Sequence, residues 1–274
     1  MTAGTVATRE ALFVPGGGLA RLVVPSLCFA LEHPREGLVL FDTGYTPRFL
    51  EATRRFPYRI YALATPVSVT PDETAAAQLA ARGARPADVR WIVLSHFDPD
   101  HIGGLHDFPR ARVVCDAAAW DFVRGRTGLR GFARRLLPGH LPADLDSRLH
   151  LVRGPGASPL PAPFGHGHDL FGDGSLRLVP LPGHAPGHLG AYLEDDARGP
   201  LLLAGDACWH RRTFTGHRPA GGLLHPHLAT DRPAQRETYA LLSAAHRARP
   251  ELTIVPSHCP ETARRLATAP PVTP

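Results

Sequence analysis

Short apolar runs alternate with turn residues and with stretches of helical periodicity along the whole chain. Runs suited to strands are Leu22–Val24, Cys28–Leu31, Leu38–Phe41, Trp91–Leu94 and Ala111–Cys115, followed by Leu176–Leu181, Ala191–Leu193, Leu201–Ala204 and Leu252–Val255. Pro71–Arg82 has an acidic start, an Ala/Leu body and Thr70 as a capping residue, which predicts a helix. Ala117–Arg135 and Pro233–Arg249 also read as helical, and Ile102–Leu105 as the opening of a helix. The order of elements predicts a layered, mixed α/β architecture.

Length and composition narrow this picture. The chain has 274 residues, enough for one large α/β domain or two small ones. It carries no internal repeat, so a single domain over 1–274 is expected. The Pro- and Gly-rich stretch 138–168 is expected as a surface loop excursion near the site. Its His140, His150, His166 and His168 are not expected to be ligands. Residues 269–274 are expected as a frayed tail. The start of the chain lacks an apolar leader pattern, and no apolar run approaches the roughly 20 residues of a membrane span. Cys28, Cys115, Cys208 and Cys259 match no disulfide framework or CxxC site, which points to reduced thiols in a cytoplasmic protein. Net charge is +5, and every basic side chain other than histidine is an arginine. Arg124–Arg135 is the densest basic stretch. Without a known nucleic-acid motif it reads as a solvated helix face, not a nucleic-acid surface.

The chemistry gathers where apolar runs end. Trp91–Leu94 leads into Ser95-His96-Phe97-Asp98-Pro99-Asp100-His101, Leu176–Leu181 into Pro182-Gly183-His184, Leu201–Ala204 into Gly205-Asp206, and Leu252–Val255 into Pro256-Ser257-His258. Ligands of α/β sheets bind beyond the carboxyl ends of strands. Residues two apart in an extended segment face the same way, so His96 and Asp98 can serve one metal if the chain is still extended there. Beyond Pro99, Asp100 and His101 can then turn to a second. Gly103 and Gly104 would permit close backbone approach. Clustered carboxylates and imidazoles are costly to bury without cations.

These segments, with FDTGY (41–45), PGHAPGHLG (182–190), LAGDA (203–207) and VPSHC (255–259), resemble the metallo-β-lactamase-fold hydrolases, and most closely their N-acyl-homoserine lactonase-like branch. The resemblance runs from about Phe29 to His258. It implies an αββα sandwich with metals at one edge of the two sheets. It implies His96, Asp98 and His184 on one metal, Asp100, His101 and His258 on another, and Asp206 between them. Asp42 and His188 would support the ligands from behind. Cys208 and Cys259, beside ligand positions, are expected as small packing residues. The implied activity is hydrolysis of an ester, lactone or related carbonyl compound by a hydroxide held between two divalent ions, with Asp100 and Asp206 as catalytic groups. The expected partner is a small-molecule substrate, with no nucleic acid and no membrane. Tyr45, Trp209 and Phe214 are expected near the substrate.

The sequence departs from the family twice. Asp98 stands where a histidine is usual, as in flavin-linked diiron reductases of the same fold. Three carboxylates and a hydroxide would balance two divalent cations, whereas the usual histidine would leave one positive charge. The site is therefore expected to be a weaker Lewis acid or to hold a different metal: two divalent ions are expected, zinc as in the family, with iron or manganese as the alternatives that Asp98 introduces. Trp209 stands where the lactonase branch has tyrosine, and offers an indole N–H in place of a phenol. A diiron redox protein and a non-catalytic binding module are the rival readings.

Overall fold

The computed structural model describes residues 1–195, 198–216 and 220–267. The expected tail 269–274 lies outside them. The chain divides into two compact units, one made of residues 1–7 and 23–151, the other of 8–22 and 152–274. No helix among the described residues is long and apolar enough to cross a membrane.

In the first unit β1 (Thr2–Arg9) lies between β2 (Arg21–Leu27) and β5 (Val67–Ser68). A second sheet contains β3 (Phe29–His33), β4 (Gly37–Phe41), β6 (Val89–Val93), β7 (Arg112–Asp116) and β8 (Leu149–Val152), in that order. β3 and β4 form an antiparallel hairpin, with Gly37 at φ +75° closing the turn. β4, β6 and β7 run parallel, pairing Leu40 with Ile92 and Ile92 with Val113. Their side chains are fully buried, as expected for parallel strands covered on both faces. Parallel pairing brings the carboxyl ends of β4 and β6 to one edge, where Asp42 N–H bonds to the Val93 carbonyl at 2.9 Å.

In the second unit the strands β9 (Ser158–Pro159), β10 (His166–Asp169), β11 (Arg177–Pro180), β12 (Leu189–Asp195), β13 (Gly199–Gly205) and β14 (Thr253–Pro256) lie in sequence order across one sheet. β11 and β13 both pair antiparallel with β12, and β13 pairs parallel with β14. β11, β13 and β14 therefore point the same way and release His184, Asp206 and His258 at one edge. The helix Arg232–Ala248 starts at Asp231, whose carboxylate accepts the Ala234 N–H at 3.0 Å. It buries Thr238, Tyr239, Leu242 and Ala245, at the spacing of a single helix face. Tyr239, Leu242 and Ala245 join Val179, Leu202 and Ile254 in this unit's core.

Three helix expectations change in detail. Pro71–Arg82 divides into a 3-10 turn, Pro71–Glu73, and a helix, Ala75–Ala80. Thr74 between them is extended, and its hydroxyl caps the second segment by accepting the Ala77 N–H at 3.2 Å. Ala117–Arg135 breaks into Ala117–Val123 and Gly128–Phe132, because Gly125 and Gly128 take φ +67° and +55°. The helix expected to open at Ile102–Leu105 does not: a single turn starts at Pro99, suited to a first helical position, and ends at Ile102, and a 3-10 turn, Leu105–Asp107, follows. The stretch 138–168, expected as a loop, carries a 3-10 turn, the short helix Leu145–Arg148 and β8, β9 and the start of β10.

Candidate metal centre

At the edge of the first unit, Asp42 organises the segment after β6. Its carboxylate accepts the Ser95 N–H and Ser95 O–H, each at 2.8 Å, and faces His101 Nδ1 at 2.7 Å. A carboxylate only accepts, so His101 carries its proton on Nδ1 and keeps a lone pair on Nε2. Ser95 spends its hydrogen on Asp42, so its oxygen accepts from His96 Nδ1 at 3.0 Å, which likewise makes Nε2 of His96 the nitrogen that carries no hydrogen. Asp42 itself sits at φ +57°, a conformation that Asp tolerates better than most residues. The Pro99–Ile102 turn approaches this loop closely. A Cβ on Gly103 would lie 2.5 Å from the Gly44 carbonyl oxygen, and one on Gly104 2.9 Å from that of Thr43.

His96 Nε2 lies 3.4 Å from Asp98 Oδ2, and His101 Nε2 3.4 Å from Asp100 Oδ2. These separations are long for hydrogen bonds. Two donors on one tetrahedral ion with ordinary zinc bond lengths stand roughly 3.3 Å apart. The Ser26 hydroxyl reaches Asp100 Oδ2 at 3.3 Å. Asp98 has a partner that the sequence did not indicate: the Arg135 Nε–H donates to Asp98 Oδ2 at 2.7 Å. The last arginine of the basic stretch is therefore an ion-pair partner, not part of a solvated helix face.

The edge of the second unit shows the same spacing. His258 Nε2 is 3.2 Å from Asp206 Oδ1, and His184 Nε2 is 3.6 Å from Asp206 Oδ2. The two oxygens of Asp206 thus face different histidines. His188 Nε2 accepts the Asp206 backbone N–H at 3.1 Å, which commits that lone pair to the backbone. The Trp209 indole N–H donates to Asp206 Oδ2 at 2.7 Å.

His225, absent from the sequence-based set, lies directly behind. Its Nε2–H donates to the Asp206 carbonyl at 2.8 Å, and its Nδ1 accepts from the Tyr239 hydroxyl. Burial, with the neighbouring His184 adding to it, holds the His225 pKa well below the usual range and keeps the ring neutral. The ring stacks on His184, with centroids 5.2 Å apart, and lies against Trp209 at 4.6 Å. No spacing rule marked His225, because it stands far from the strand ends in sequence.

Other expected residues fall as follows. Tyr45 is buried edge-on to Phe49, and Phe214 lies in the second unit's core against His246. All four cysteines are free and buried. Burial raises Cys208 well above the ordinary thiol range. Burial also raises Cys259, but hydrogen bonds from His210 and Thr262 outweigh it and bring the thiol down to about 7. His140 is fully buried, and desolvation lowers its pKa to about 4, with the Pro99 backbone acting in the opposite sense.

Comparison with known proteins adds a family. The sequence model described as "Metallo-beta-lactamase superfamily" matches residues 21–258. The probable metallo-hydrolase Rv2300c of Mycobacterium tuberculosis is 33% identical over 241 residues, covering 86% of this chain and 75% of that protein. The N-acyl homoserine lactonase AttM of Azorhizobium caulinodans is 30% identical over 207 residues, 73% of each chain. Among solved structures, a Bacillus thuringiensis AiiA mutant with N-decanoyl-L-homoserine bound at its active site superposes with a TM-score of 0.68. That match covers 97% of this chain and 94% of the other at 20% identity, a likeness of fold.

Proposed function

Because the chain belongs to the metallo-beta-lactamase superfamily, we propose that it is a dinuclear metal-dependent hydrolase of ester or lactone bonds. The fold is that of the superfamily, with helices and mixed sheets consistent with an α/β sandwich. The family implies a hydrolase that uses divalent ions, and the donors here suit them in type and spacing. The proposal gives His96, Asp98 and His184 to one ion, Asp100, His101 and His258 to the other, and Asp206 to both.

The observation that carries this reading is the split of Asp206: one oxygen faces His258 and the other His184. A carboxylate placed in this way could help to hold two cations, one beside each histidine. Bound divalent ions would supply Lewis acidity toward a carbonyl and lower the pKa of water. The chain's residues do the rest. Asp42 and Ser95 fix the tautomers of His101 and His96. His188, His225 and Trp209 hold Asp206 through its N–H, its carbonyl and its carboxylate. Asp100 is the group given the role of taking up the nucleophile's proton and passing it to the leaving oxygen.

AttM is named as an N-acyl homoserine lactonase, so acyl-homoserine lactones are the first substrates to offer, beside simple lactones and aryl esters. The experiment is metal quantification of protein purified without added metal, followed by that panel. Two equivalents of metal and turnover of a lactone or ester are expected. Failure to bind divalent ions would overturn the reading. An iron absorption spectrum without hydrolysis would replace it with a redox role.

A further inference from the structure

Arg135 follows the helix Gly128–Phe132 at φ +58°. The Gly131 carbonyl accepts the Leu136 N–H at 3.1 Å, and the Phe132 carbonyl accepts the Arg135 N–H at 2.9 Å. This bond pair closes a helix through a left-handed residue, a place that glycine fills with least strain. The backbone alone gives no reason for an arginine there, whereas the side chain does. Its Nε–H lies 2.7 Å from Asp98 Oδ2, the same oxygen that stands 3.4 Å from His96 Nε2. That oxygen has lone pairs for both a guanidinium and an ion. Both partners are largely buried, with side chains 17% and 11% exposed, so solvent screens the pair only in part.

We propose that Arg135 is a positioning residue that holds the Asp98 carboxylate toward the metal site and offsets its charge. The proposal rests on the metal-site reading above. A bare carboxylate favours harder ions such as Mn(II), whereas imidazole suits Zn(II). A carboxylate whose charge is shared with a guanidinium is a weaker anionic donor. The Asp98–Arg135 pair then replaces the family's neutral histidine with a pair that is also neutral overall, and draws the site back toward zinc. The charge balance read from Asp98 alone, with two divalent cations fully neutralised, gains one positive charge from Arg135.

The test is chelator competition with Zn(II) and with Mn(II) on four proteins: unaltered, Arg135→Gly, Asp98→His and the double variant. Glycine suits φ +58°, so Arg135→Gly should fold, while its Zn(II):Mn(II) affinity ratio falls about tenfold or more. With histidine at 98 the same Arg135→Gly change should move that ratio less than about twofold, because the guanidinium no longer has a carboxylate to act on. If Arg135→Gly does not fold, Arg135→Gln takes its place in the same comparison. An unchanged ratio in the Asp98 protein, or an equal shift in both backgrounds, overturns the inference alone. Uptake of neither ion by the unaltered protein overturns it together with the metal-site reading.

Discussion

The indole N–H of Trp209 donates to Oδ2 of Asp206 at 2.7 Å, so the residue that departs from the lactonase pattern holds the carboxylate proposed to bridge two ions. Phenylalanine would keep the stack of Trp209 on Phe13, whose ring centroids are 4.2 Å apart, and lose the donor. Trp209→Phe should weaken metal binding about tenfold while the protein stays folded. Titration against a chelator reads this, and an unchanged affinity would reduce Trp209 to a packing residue.

Asp42 fixes His101 by a 2.7 Å contact to Nδ1. Asparagine tolerates the left-handed backbone found there, so Asp42→Asn should fold. It should lower affinity for the second ion about 10- to 100-fold. Equal zinc content after dialysis of both proteins against chelator would contradict this role.

His184 and His188 differ by four positions and by task. His184→Ala should lose metal with little loss of fold. His188→Ala leaves the Asp206 N–H without its acceptor and should cost about 1–3 kcal/mol of stability, with the smaller effect on metal content. Paired denaturant melts and metal analyses separate the two. Equal loss of metal in both variants would make His188 a ligand.

His140 gives stability a pH dependence. Its pKa is about 4 in the folded protein, below the 6.5 of a free imidazole, because burial penalises the charged ring. The unfolded chain therefore binds the proton first. The stabilisation is complete above about 6.5 and is lost as pH falls toward 4, to a total of about 3 kcal/mol. His140→Gln should flatten the urea midpoint over this range relative to the parent. Parallel profiles would show that His140 does not titrate in this way.

Leu242 is fully buried on the inner face of the long helix. Leu242→Ala should destabilise by about 2–5 kcal/mol through lost burial and the cavity left behind, with chelator affinity of the folded protein unchanged. A smaller loss would mean that the helix relaxes onto the sheet.

By itself the sequence determined the strands β2–β4, β6, β7 and β11–β14 and the candidate ligands, because both follow from local rules, whereas β1, β5, β8, β9 and β10 carry no comparable apolar run. An apolar run bounded by turn residues makes a buried strand, and a His or Asp just beyond it is carried to the sheet edge without help from distant chain. His96, Asp98, Asp100, His101, His184, Asp206 and His258 were legible as candidates for that reason, and the match to a family model over residues 21–258 spans these segments. Helix breaks were not legible at that level, since the Ala-rich pattern of 117–135 outweighed Gly125 and Gly128 until their positive φ values appeared. The resemblance named Asp42 and His188 as supports; the other groups that hold the candidate ligands were decided only by tertiary structure. Arg135 reaches Asp98 across 37 positions, His225 reaches the Asp206 carbonyl across 19, and Ser95 joins Asp42 to His96 and His101 across 53. Hydrogen bonds between residues so far apart leave no period in the chain. They are set by which strand ends meet and which side chains then find a donor or an acceptor within 3 Å.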